Sequence, residues 1–145
     1  MKTSFSSSTA IARPPHDVWK FITDFNNAPL WMSDVKRVHQ LDEGELGRGS
    51  ILRYESENAA QNLIVSYWEP DKCFTLSLNE NNISKNSSYK LEAVGKDTLL
   101  QLELTLDVKG MMLFLLPFVM WSAKRRARRH RRNIKQVLEL NIKMD

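Results

Sequence analysis

A lone cysteine, Cys73, stands in 145 residues. An internal disulfide and a cysteine-based metal cluster are both excluded by that scarcity. Histidine is nearly as rare, and His16, His39 and His130 share no ligand spacing, so no metal site is expected. The longest apolar run, Met111 to Trp121, is 11 residues and contains Pro117. A bilayer-crossing helix needs about 20. The segment Met1 to Ser8 carries one positive charge and no apolar stretch behind it, so no secretory leader is expected and a cytoplasmic location is the default. Gly44, Gly47 and Gly49 are spaced for a hairpin connection, and no helix follows them to make a phosphate cradle. A hydrolase elbow, a Walker lysine and a paired-carboxylate constellation are also missing. The residues therefore name no cofactor and no catalytic apparatus, which weighs against an enzyme. A shaped cavity with a few scattered polar groups remains able to catalyse cyclisation.

What is present suits a folded chain. Apolar residues make up 42% and supply one real core, and the length fits a single domain spanning 1–145. The net charge of +4 is unevenly placed. Residues 1–109 hold 12 Lys and Arg against 15 Asp and Glu, whereas residues 110–145 hold 9 against 2. Any acidic partner must therefore meet the C-terminal segment.

Period-two patterning dominates the middle of the chain. A first strand is expected over 3–13. Pro14-Pro15 stops it and opens a helix carrying Val18, Trp19, Phe21 and Ile22, which ends near Asp24, with a second helical turn over Ala28 to Met32. Further strands are expected over 35–41, 50–57, 61–68, 73–78, 87–94 and 98–108, with an Asn-rich loop over 79–86. The last strand is the clearest. Leu100, Leu102, Leu104, Leu106 and Val108 face one side, and Gln101, Glu103, Thr105 and Asp107 face the other. One face of the sheet is thus apolar and needs a cover. After Gly110 the period changes: Leu113, Leu116, Met120, Ala123, Ala127, His130, Ile134, Val137 and Asn141 advance by threes and fours along one long helix, the natural cover. Pro117 marks a restart or kink in it.

At this point the residues themselves resemble a known group. Pro15-His16-Asp17-Val18-Trp19-Lys20-Phe21-Ile22-Thr23-Asp24 followed by Pro29-Leu30-Trp31 is similar to the N-terminal signature of the polyketide cyclase/dehydrase and START-like (SRPBCC) superfamily. Gly47-Arg48-Gly49-Ser50, Trp68-Glu69-Pro70, Lys96-Asp97-Thr98 and the long terminal helix continue the likeness over nearly the whole chain. The resemblance implies an α+β helix-grip fold. A seven-stranded curved antiparallel sheet would wrap a long C-terminal helix, with two short helices after strand 1 and an elongated cavity between sheet and helix. It implies ligands such as lipids, quinones or polyketides, and in some members cyclisation or dehydration. Fold alone does not select among these. Asp24 and Trp31 match family positions and are carried over as structural or pocket-lining.

The candidate pocket residues are Trp31, Tyr54, Tyr67, Tyr89, Leu102, Leu104, Met120, Ala123, Ala127 and His130. Ala123 and Ala127 are small where a filled core favours Leu or Ile. They either let the helix sit close to the sheet or leave volume for a ligand, and the resemblance favours the cavity. His130 offers a polar anchor or proton-transfer group, against the commoner reading of a histidine satisfied by a backbone carbonyl. Each tyrosine sits on a candidate strand, where ordinary packing is the commoner role. Tyr89 is the best placed, aligned with Leu91 and Ala93. Trp19, Trp31 and Trp121 read as core, with Trp31 also able to cap an entrance.

Between Lys124 and Arg132, seven of nine residues are cationic. The ordinary reading is a solvated helix face. Arg125, Arg128, Arg129 and Arg132 would otherwise meet an anionic membrane, with Met111–Trp121 dipping into the interface, or, less favoured, nucleic-acid phosphates. Three functions follow: binding a hydrophobic small molecule, an aromatase/cyclase-type reaction on a polyketide-like substrate, and lipid or quinone handling at an anionic membrane through peripheral contact. The residues carry no signal of oligomeric state.

Overall fold

The computed structural model describes residues 2–32, 34–80, 82–109 and 116–140, the side chains of 116, 118–120, 122, 123, 127 and 140 excepted. Strand β1 (Lys2–Ile11) leads to helix α1 (Pro15–Thr23), a 3-10 turn (Phe25–Asn27) and helix α2 (Ala28–Trp31). Strands β2 (Arg37–Gln40), β3 (Ile51–Glu55), β4 (Ala60–Glu69), β5 (Cys73–Glu80), β6 (Ile83–Val94) and β7 (Asp97–Val108) follow, and helix α3 covers Leu116–Leu140. The seven strands form one antiparallel sheet in the order β1-β7-β6-β5-β4-β3-β2. This is the expected helix-grip architecture.

Local chemistry explains the elements. Pro15 opens α1, where a missing N–H leaves no bond unmade, and Asp17 adds an acidic charge to the first turn. Val18, Trp19, Phe21 and Ile22 are buried on its inner side. Asp24 ends the helix and accepts a bond from the Asn26 N–H at 3.2 Å. The β7 alternation holds throughout: Leu100, Leu102, Leu106 and Val108 are buried, and Leu104 is half-buried.

Two strand expectations need correction. The Asn-rich stretch 79–86 is no loop, because β5 continues to Glu80 and β6 begins at Ile83. The long apolar face of β7 holds β6 in register from Ile83↔Val108 to Val94↔Asp97. The polar side chains pair across the outer face. Ser77 Oγ donates to Asn86 Oδ1 at 2.7 Å, and the Thr75 and Ser88 hydroxyls lie 2.8 Å apart. The second correction concerns β4. A bulge lies between Val65 and Tyr67 and shifts the register against β5. One extra residue inverts the alternation beyond it. Tyr67 is therefore turned outward and 47% exposed, while Trp68 turns in against Trp19, with ring centroids 4.9 Å apart.

Helix α3 lies along β1 and the short helices. Its His130, Ile134 and Leu138 are buried, with Val137 half-buried beside them. Polar bonds clasp it to the first strand and its exit: Arg131 Nη1 donates to Ser8 O at 2.9 Å, and Ala12 N–H donates to Glu139 Oε1 at 3.1 Å. Arg13 Nε donates to Leu138 O at 3.3 Å. Pro117 falls in the first turn of the described helix, a position that tolerates it. Leu113 and Asn141 of the predicted stripe lie outside the described residues.

Candidate functional site

The inner face of the sheet is filled at one end and open in volume at the other. At the filled end Trp19, Phe25, Trp68 and Phe74 form an aromatic cluster beneath α1. Tyr89 closes that cluster, stacked on Phe74 with centroids 4.8 Å apart and planes 15° from parallel. Beyond Tyr89, toward the β5–β6 hairpin, a cavity of about 490 Å³ lies between sheet and helix. That volume is typical of a small-molecule site.

Its walls follow from strand parity. Leu63, Leu76, Leu78, Leu102, Leu104 and Leu106 line it from three strands. Ser87 lies among them, paired with Leu76 on one side and Leu104 on the other. A small residue at the centre of a leucine wall leaves the volume a larger side chain would fill.

Polar groups converge on the same space. Tyr54 lines the cavity, and its Oη is buried with no hydrogen-bond partner among the described residues. Burial, then the neighbouring Tyr89, pushes the Tyr54 phenol well above its ordinary value, so it stays a neutral donor at physiological pH. Burial likewise raises the Tyr89 phenol. Asp34, Arg126 and His130 form a polar wall on the helix side. His130 Nε2 lies 3.3 Å from Asp34 Oδ1, and Arg126 Nε lies 3.4 Å from Asp34 Oδ2. The bond to His130, opposed by partial burial and assisted by the Arg126 charge, holds the Asp34 carboxyl down at about 2. Lys85 lines the cavity from β6, and burial lowers its ammonium's pKa, as does the nearby Arg126.

Of the predicted pocket residues, Tyr54, Tyr89, Leu102, Leu104 and His130 border this volume. His130 is partnered by a carboxylate rather than the backbone carbonyl expected. Trp31 does not cap an entrance. It is 1% exposed and stands behind the wall, edge-on to Tyr89 at 6.0 Å and to His130 at 5.8 Å. Tyr67 is carried away by the β4 bulge and donates its hydroxyl to Glu69 Oε2 at 2.7 Å. The side chains of Met120, Ala123 and Ala127 lie outside the described residues. Trp121, expected in the core, is 57% exposed, with the Arg125 guanidinium 5.5 Å from its ring centroid.

The basic run divides by helix face. Arg126 and Arg131 turn to the protein, as does Lys135 one turn further on. Arg125, Arg128 and Arg132 are exposed, and Arg129 is half-buried. Asp34, Lys85 and Ser87 border the cavity without having been singled out from the sequence. For Lys85 and Ser87 the available signal was their position four and two residues before Tyr89, on the same strand face. For Asp34, in an irregular segment, there was none. Among the described residues no group of three or more His, Cys, Asp or Glu is placed to hold a metal ion.

A curved sheet gripping a terminal helix over a mixed apolar and polar cavity defines the helix-grip class. The chain belongs to the family described as polyketide cyclase / dehydrase and lipid transport, whose model matches residues 2–139. Among solved structures it is similar to a START superfamily protein from Mycobacterium smegmatis, with 20% identity, TM-score 0.76, and coverage of 94% of this chain and 97% of that one. It is similar to the Zhui aromatase/cyclase from Streptomyces sp. R1128, with 12% identity, TM-score 0.79, and coverage of 98% and 96%. It also resembles the di-domain ARO/CYC StfQ from the steffimycin biosynthetic pathway, at 11% identity and TM-score 0.81. There it covers 98% of this chain and spans about half, 52%, of that protein. At these identities the likeness defines the fold alone. Among curated proteins none matches this sequence. No helix among the described residues is long and apolar enough to cross a membrane.

Proposed function

We propose that the chain acts as one domain that binds a hydrophobic small molecule, of lipid, quinone or polyketide-like character, in the cavity between the sheet and α3. The observation that carries this reading is Tyr54 Oη, a buried donor without a partner among the described residues, on the wall of a leucine-lined volume. Burying a hydroxyl unsatisfied is costly, and a ligand acceptor would remove the cost. The leucines would supply most of the affinity, roughly 2.5 kcal/mol per 100 Å² of apolar ligand surface before association costs. Native mass spectrometry of freshly purified protein tests it. A co-purified apolar molecule, lost in Ser87→Phe, is expected. A wild-type protein that takes up no lipid, quinone or polyketide mimic would overturn the reading.

Exposed Trp121 and Arg125, with Arg128 and Arg132 one and two turns on, favour peripheral docking on an anionic membrane as the way such a ligand is collected.

A second reading, aromatase/cyclase-type chemistry, is favoured by the His130–Asp34 pair at the cavity wall. A histidine oriented by a carboxylate is suited to moving a proton in an aldol closure or dehydration. Incubation with a poly-β-keto thioester mimic is expected to give cyclised product with wild type and not with His130→Ala. Equal product from both would exclude this role for His130.

A further inference from the structure

We propose that the molecule held in this cavity is an amphiphilic carboxylate whose charged group meets Lys85, an inference that rests on the cavity being a ligand site. Lys85 occupies an inward position of β6, two residues before Ser87 and four before Tyr89, both of which also line the cavity. Its cross-strand partners are Leu78 on β5 and Leu106 on β7, both buried. A half-buried ammonium therefore stands on a leucine wall of the cavity, and among the described residues it makes no ion pair.

The nearby acids do not supply a counter-ion. Asp34 is engaged by His130 at 3.3 Å and by Arg126 at 3.4 Å. Glu80 lines the same cavity from the exposed end of β5, beyond ion-pair distance, and, after Asp34, favours the charged lysine only through space. Burial and the Arg126 charge both disfavour the ammonium where it stands. A partly buried cation without an ion-pair partner is disfavoured, and an anion placed against it converts that cost into affinity.

The charge count selects the kind of anion. Arg126 is shared with Asp34, and Glu55 and Glu103 on the same lining are paired with Arg37, Arg53 and Lys90; with Glu80 set at the exposed end of β5, the charge beside the leucines is the single one of Lys85. A point-charge ammonium with one surplus charge suits a monoanion, a carboxylate, better than a phosphate dianion. The leucines beside it select an apolar body. At ~30 Å³ for each water-sized group, a cavity of about 490 Å³ takes about 16 non-hydrogen atoms, enough for a saturated chain the length of dodecanoate with its head group.

The test compares dodecanoate with its uncharged counterpart dodecan-1-ol, by tryptophan-fluorescence titration of the full chain with wild type, Lys85→Met and Lys85→Gln. Wild type is expected to bind dodecanoate about tenfold or more tighter than the alcohol, the range of a charge-assisted bond. Both variants are expected to lose that preference while still binding the alcohol, which also reports that they fold. Equal affinity of wild type for acid and alcohol would overturn the carboxylate inference and leave the apolar site standing. A preference that survives in either variant would overturn the assignment to Lys85. Binding of neither probe by wild type would overturn the binding reading itself.

Discussion

Asp34 Oδ1 and His130 Nε2 meet at 3.3 Å, tying the segment after α2 to the middle of α3 across 96 residues of chain. The Asp34 carboxyl titrates at about 2 in the folded protein, against 3.8 as its ordinary value. A folded value below the unfolded one means the stabilisation is present above pH 3.8 and is lost as pH falls from there to about 2. Because the side chain is 48% exposed, screening holds the effect to about 1 kcal/mol. Urea midpoints measured between pH 5 and pH 2 should fall less steeply in Asp34→Asn than in wild type. Parallel slopes would show the pair has no linkage to folding.

Tyr54→Phe removes a buried hydroxyl that has no partner among the described residues. The unliganded variant should be more stable than wild type by up to about 1 kcal/mol, read as a rise in Tm. The same change should weaken ligand binding several-fold. A variant both less stable and equally able to bind would remove Tyr54 from the site.

Ser87→Phe places a ring between Leu76 and Leu104, into the cavity rather than into packed core. Stability should change by less than about 1.5 kcal/mol, because added volume meets space instead of neighbours. Ligand uptake should disappear. By contrast, Phe74→Ala at the filled end should cost about 3–5 kcal/mol, since that ring is fully buried between Trp19 and Tyr89. Comparable losses from both substitutions would mean that the two ends of the interior are equally packed.

The triple change Arg125→Ala, Arg128→Ala and Arg132→Ala removes exposed cations that lie on the turns following exposed Trp121. At about 1 kcal/mol per cation, flotation with anionic vesicles should weaken by about a hundredfold at low salt, with no change in Tm. Binding that is equal on neutral vesicles, or unmoved by salt, would eliminate electrostatic docking.

Much of this architecture was written in local pattern. The leucines of β7 alternate without interruption, and the spacing of His130, Ile134 and Val137 aligns the helix face that covers them. The same parity put Tyr89, Leu102 and Leu104 beside the cavity. Two residues escaped for specific physical reasons. Lys85 was hidden in an Asn-rich stretch that looks like a loop, and only pairing with β7 makes that stretch a strand. Tyr67 has the parity of Val65, yet one bulged residue between them reverses its direction, and nothing in the local composition announces a bulge. Asp34 belongs to neither kind of periodicity; its position depends on where α3 comes to rest.

The clasp between the first strand and the final helix also bears on biosynthesis. β1 finds its neighbour among the described strands, β7, about a hundred residues later, and Ser8 waits longer still for Arg131. The chain as far as Arg131 must therefore have left the ribosome before the concave leucine surface can be sealed, and that surface stays exposed until then. Ribosome-associated chaperones would have their longest engagement with this interval.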